Sequence, residues 1–276
     1  MKDVIIDTLK DSVKLLPFLF IAFFLIELIE HRYNKKTKEF ITKSGKFGPL
    51  LGSLLGLFPQ CGFSVMATNL YTTRIITLGT LIAIYLSTSD EMLPILLTES
   101  VPIATILTIL GIKLFLGIVA GFIIDFVANV IKKEEEEKIE EICEHEHCHC
   151  DKGIFSSALK HAINIAIFIF VITLILNGII KFIGEDKISH FISNNVILGP
   201  VIAGLIPNCA SSVILTELFI EKVISMPILI SGVAVNAGVG LLVLFKTNKN
   251  VKENISIVGL LYGIGVVAGI ILELFL

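Results

Sequence analysis

The ten residues Gly56 to Val65 read Gly-Leu-Phe-Pro-Gln-Cys-Gly-Phe-Ser-Val, and 148 residues later Gly204 to Val213 read Gly-Leu-Ile-Pro-Asn-Cys-Ala-Ser-Ser-Val. Six of the ten positions are identical, and the exchanges Phe58 to Ile206 and Gln60 to Asn208 keep the chemical type. The chain is a duplication. At the same offset Thr68 meets Thr216, Arg74 meets Lys222 and Leu81 meets Leu229, while upstream Gly48-Pro49 matches Gly199-Pro200 after a three-residue indel. Copy one runs over about residues 12–131 and copy two over about 158–276. The charged stretch between them divides the chain into a first repeat at 1–131, a linker at 132–153 and a second repeat at 154–276.

A repeat of this kind must fold in lipid. Hydrophobic residues make up 54% of the chain and charged residues 17%, against roughly 25% in soluble domains. Apolar runs at Leu15–Ile29, Ile75–Leu86, Val101–Ile131, Ile163–Ile180, Ile224–Phe245 and Ile255–Leu276 supply segments of bilayer length. Strand alternation is missing, so the expected fold is an all-α polytopic membrane protein. Asp3, Asp7 and Asp11 precede the first apolar run without a small-x-small cleavage site after it, so that run reads as a retained span. No phosphate loop, dinucleotide fingerprint or nucleophile, base and oxyanion arrangement occurs, which argues against an enzyme, and nothing suggests a nucleic-acid partner.

Each copy carries two interruptions. The first is Pro59-Gln60-Cys61-Gly62 in copy one and Pro207-Asn208-Cys209 in copy two, where proline removes a backbone donor and disfavours a helical residue before it. Either a helical hairpin or a pair of short spans follows. The second is Ser87-Thr88-Ser89-Asp90-Glu91, matched by Asn236-Ala237-Gly238. Broken helices at membrane depth expose backbone groups that lipid cannot satisfy, so they line a polar cavity.

The candidate substrate site therefore gathers Gln60, Cys61, Ser64, Thr88, Ser89, Asp90, Asn208, Cys209, Ser211, Ser212 and Asn236. Cys61 and Cys209 fall at the first turns of the resumed helices, where thiol pKa is lowered, and could hold a soft ion through sulfur. Buried cysteine is also a common inert filler of tight bends, and Gln60 and Asn208 equally suit helix capping. Intramembrane carboxylates are costly and usually functional, which makes Asp90, Glu91 and Glu217 candidates for carrying a proton. Near an outer interface Asp90 and Glu91 would simply be wet. His31, His161 and His190 lie near span ends, where an interfacial histidine needs no role.

Positive charge orients the copies. The loop from His31 to Lys46 holds Arg32, Lys35, Lys36, Lys38, Lys43 and Lys46, whereas its counterpart, Lys181 to Asn195, holds only Lys181 and Lys187. Lys246, Lys249 and Lys252 cluster in one loop of copy two, and the matching loop near Thr98 to Ser100 has no basic residue. With basic loops in the cytoplasm the two copies are inverted, the linker lies inside and the site falls near the midplane. Counting the short segments as crossings gives five per copy, the odd number that inversion requires.

The linker contains Cys143-Glu-His-Glu-His-Cys-His-Cys150 after Glu134 to Glu137. Cys143, His145, His147, Cys148, His149 and Cys150 offer nitrogen and sulfur ligands for Zn²⁺ or another soft ion. Their spacing suits a chelating tract more than a structural finger. The plainer reading is a solvated acidic linker, since residues 132–152 hold nine acidic and four basic side chains. No cofactor is required elsewhere.

The two Pro-Gln/Asn-Cys elements, the Gly-Pro start of each copy and the Cys/His-rich centre resemble the ten-transmembrane heavy-metal exporter family, also labelled arsenic-efflux or manganese-transporter-like. The resemblance extends over nearly the whole chain and implies a multi-pass permease of a bacterial or archaeal inner membrane. The leading expectation is secondary-active export of a metal or metalloid through the midplane site, with the bilayer and a small ion as partners and homo-oligomerisation left open. Two alternatives stand beside it: a carrier of a small organic or inorganic anion held at helix N-termini, and a membrane-anchored metal sensor or assembly subunit.

Overall fold

A computed structural model describes residues 47–58, 61–89, 91–131, 154–194 and 197–275, together with Leu9, Val13, Leu16, Pro17, Phe20, Ile21, Phe23 and Phe24. Every regular element among them is helical. In copy one these are α1 (Gly48–Gly56), α2 (Cys61–Thr72), α3 (Leu78–Ser87), α4 (Met92–Thr98) and α5 (Ile103–Ile131). Next come α6 (Ile154–Ile183) and α7 (Glu185–Asn194). Copy two continues with α8 (Leu198–Gly204), α9 (Cys209–Ile220), α10 (Met226–Ala234), α11 (Gly240–Thr247) and α12 (Val251–Phe275).

Adding 148 to the bounds of α2 gives those of α9 without remainder, and α3, α4 and α5 map in the same way onto α10, α11 and α12 with small differences at their ends. The repeat extends to single hydrogen bonds. Ile75 N donates to Leu70 O at 2.9 Å, and Val223 N to Leu218 O at 2.9 Å. Arg74 and Lys222 hold φ of 57° and 60° in the middle of these equivalent turns. Thr77 Oγ1 donates to Asp125 at 2.7 Å, and its counterpart Ser225 to Glu273 at 3.3 Å.

Both expected interruptions are present in the backbone. Helix α3 stops at Ser87 and α4 starts at Met92, while α10 stops at Ala234 and α11 starts at Gly240. The stretch from Lys181 to Asn195, read above as a loop, instead continues α6 to Ile183 and then forms α7. The reason is local: Ile188 and Ile192, four apart, face the core while Lys187 and His190 face out, an amphipathic pattern that helix spacing creates.

The two copies interlock. Within each, the long final helix and the short first one pack on the helix before the second break, as α5 and α1 on α3 and as α12 and α8 on α10. Between them, α2 packs on α11 and α9 on α4. The cores lie at this junction: one joins Leu81, Tyr85 and Leu86 to Ala234, Leu241 and Leu261, and another joins Met92, Leu96 and Ile109 to Leu215 and Leu229. The segment Leu78–Thr98 is 71% buried, against 22–28% for the long spans of α5, α6 and α12. Broken helices therefore form the interior, and α5, α6 and α12 offer Phe115, Phe126, Ile167, Ile175 and Val267 to lipid.

Candidate functional site

Copy two shows the first break in full. Asn208 caps α9 in an extended conformation, its side-chain oxygen accepting from Ala210 N at 3.4 Å. Its amide nitrogen donates to Asn177 Oδ1 of α6 at 2.5 Å. Ser211 Oγ donates to Asn208 O at 2.8 Å and accepts from Asn236 Nδ2 at 3.1 Å. Asn236 Oδ1 in turn accepts from Gly238 N at 2.8 Å, closing the second break in a tight turn where Gly238 has φ +52°. Asn208, Ser211 and Asn236 are all buried, and together they tie the first break of copy two to its second.

The capping role weighed for Asn208 is thus observed, and its other donor is directed into the protein. Cys209 is the first residue of α9, with its thiol half-buried, and Cys61 holds the same place in the backbone of α2. Ser212 is buried, with its hydroxyl returning to Cys209 O at 2.8 Å. Thr88 and Ser89 are buried as well, but Thr88 Oγ1 donates to Ile84 O at 2.7 Å and Ser89 Oγ to Ser87 O at 3.2 Å. These hydroxyls terminate α3 by satisfying its carbonyls.

Ser64 is buried where α2 meets α11, so closely that a side chain on Gly240 would come 3.1 Å from its Oγ. One turn on, Thr68 Oγ1 lies 2.6 Å from the hydroxyl of the fully buried Tyr85 and 3.2 Å from Gly240 O, linking the copies. Nearby in sequence, Asn69 is buried with neither amide atom hydrogen-bonded among the described residues. Glu91 is half-buried at the start of α4, and Glu217 is exposed on α9. Gln60, Asp90 and the linker ligands Cys143, His145, His147, Cys148, His149 and Cys150 lie outside the described residues. Among the described residues no group of three or more His, Cys, Asp or Glu could hold a metal ion.

The residue that sequence reasoning passed over is Lys113. It sits in the middle of α5, fully buried, and its ammonium donates to Thr88 O and, at 3.1 Å, to Val233 O. Thr88 lies in the second break of copy one, and Val233 in the last helical turn before the second break of copy two. Lys113 and Asp125 are the two charged residues of α5, so the signal was available: a lysine ten residues inside an apolar helix is an intramembrane charge. Asn177 in α6 gave the same kind of signal.

A family profile described as "Putative, 10TM heavy-metal exporter" matches residues 1–197, more than two thirds of the chain. The chain belongs to this exporter family. The match covers the whole first repeat, the linker and the start of the second repeat, and the residual stretch is joined to it by the internal duplication. Exporter membership agrees with the four helices that are long and apolar enough to cross a bilayer among the described residues. No curated protein and no solved structure gives a significant match.

Proposed function

We propose that this protein is a secondary-active exporter of a metal or metalloid species, and that cargo passes between the helix breaks of two inverted repeats near the membrane midplane. The observation that carries the reading is the buried polar chain from Asn208 through Ser211 to Asn236, which joins one break to the other inside an apolar chain. Each unsatisfied backbone group in hydrocarbon costs several kcal/mol. Four breaks are an expense that an anchor for a sensor has no use for, whereas a carrier needs polar surface at this depth.

Inversion is supported by one turn. Asp125, near the end of α5, accepts from Thr77 and from Gly79 N, while Glu253, near the start of α12, pairs with Arg74 at 2.8 Å and accepts from Tyr71. The end of one long helix and the start of its equivalent therefore flank the same segment. The position in α5 equivalent to Glu253 is Thr105, about 30 Å from Asp125 along the axis at 1.5 Å per residue. Helices α5 and α12 run in opposite directions on this reading, and alternating access follows from rocking one repeat against the other.

Cys61 and Cys209 are the proposed soft ligands, at the first residues of α2 and α9. Asn208 and Ser211 orient the cargo, and the Cys/His linker, proposed to be cytoplasmic, gathers metal for it. Flux into inverted vesicles under an imposed proton gradient tests this, using Zn²⁺, Mn²⁺, arsenite, an organoarsenical and small anions. Uptake of a metal or metalloid that falls at least tenfold in Cys61→Ser/Cys209→Ser supports the proposal. Uptake confined to an anion and unchanged in the double variant moves the assignment to anion transport.

A further inference from the structure

Burying an ammonium in a low-dielectric interior is costly unless the surroundings compensate for it. For Lys113 the compensation is specific. Thr88 is the C-cap of α3, with φ −55° and ψ 131°, so its carbonyl has left the helical ladder. Val233 is in the last turn of α10. Two half-helices, one from each repeat, thus turn their C-terminal ends toward one ammonium. Each such end carries a partial negative charge of about −0.5 elementary charge, so both favour a cation placed between them. Unwound carbonyls and half-helix C-termini are the groups with which broken-helix carriers hold coupling cations. Copy two has Leu261 at the position equivalent to Lys113, so the feature belongs to one repeat alone and not to the scaffold they share.

We infer that the breaks after α3 and α10 form a monovalent-cation site, and that the Lys113 ammonium is its resident, tethered cation. The carrier then has no need of free sodium, and Lys113 latches one repeat to the other through Thr88 and Val233. Removing the charge leaves a carbonyl site of net negative potential, which a small alkali ion fills. The inference rests on the transport reading, but sodium binding is read without cargo, so a failed flux assay and a failed sodium response are separate results.

The test is thermal unfolding of the purified full chain in detergent, in NaCl, LiCl or choline chloride at equal ionic strength. Wild type is expected to unfold at the same temperature in all three. Lys113→Ala should be destabilised in choline chloride and regain several degrees in NaCl with saturation, as a ligand that binds only the native state requires. Lys113→Gln separates this from a purely structural staple. Glutamine restores donors to both carbonyls without charge, so a staple would be repaired and indifferent to sodium, whereas a cation site would still respond to it. A sodium response in wild type, folded variants without one, or failure of both variants to fold in any of the salts would each overturn the inference.

Discussion

Arg74 and Lys222 show how two copies of one turn can reach the same backbone by different means. Both hold φ near +60°, a region that costs an L-residue about 1 kcal/mol or more relative to glycine. Arg74 offsets this with a two-pronged pair to Glu253, at 2.8 and 3.0 Å, and with its guanidinium 5.3 Å from the Tyr71 ring. Lys222 is exposed, and the position in α5 that corresponds to Glu253 is Thr105, which has no charge to offer. Lys222→Gly should therefore stabilise the protein by about 1 kcal/mol, because it removes strain and little else. Arg74→Gly relieves the same strain but deletes the ion pair and the ring contact, so its unfolding temperature should fall. Thermal unfolding of the two variants side by side checks this, and an equal shift in both would show that the pair contributes nothing.

At the scale of elements, the breaks were legible and the packing was not. Proline at 59 and 207 and the polar runs at 87–91 and 236–238 stop helices for reasons that act within a few residues, so their positions could be read from the chain. Which helix meets which is decided by surfaces that are apolar nearly all round, as in α5 and α9, and no periodicity marks their buried face. Lys113 is visible in the sequence as an intramembrane charge, but where it docks is not, because Thr88 and Val233 receive it through backbone carbonyls, which every residue has. Glycine supplies the missing information only in retrospect. A Cβ on Gly204 would lie 1.9 Å from Gly232 O, and one on its equivalent Gly56 would lie 2.7 Å from Ile84 O, so α8 on α10 and α1 on α3 approach backbone to backbone. Gly263, on the open face of α12, has nothing within 4 Å. Gly204→Ala should thus sharply lower the yield of monodisperse protein and its unfolding temperature, while Gly263→Ala leaves both near wild type. Size-exclusion profiles and melting curves decide it, and a tolerated Gly204→Ala would mean that α8 and α10 do not touch.

For the whole molecule, function turns on the direction in which the repeats face. Parallel repeats would present the same surface to the same compartment, and their symmetry would not convert one opening into the other. Inverted repeats do so by exchanging conformations, because the inward-open form of one half is the outward-open form of the other. The contacts around residues 71–79 argue for inversion by bringing the end of α5 and the start of α12 to one level. The charges agree: Lys249 and Lys252 belong to that same end of the bundle, beside the helix end from which the acidic linker departs. Ser100 and Lys249 are exposed residues in corresponding loops, before α5 and before α12, and inversion puts them on opposite faces of the membrane. Ser100→Cys and Lys249→Cys, each read as added labelling over the parent chain with a membrane-impermeant maleimide, turn that into a measurement. In inverted vesicles Lys249→Cys should label and Ser100→Cys should not, and in right-side-out vesicles the pattern should reverse. Labelling of both from one side would make the repeats parallel, and the inverted-repeat reading would then have to give way.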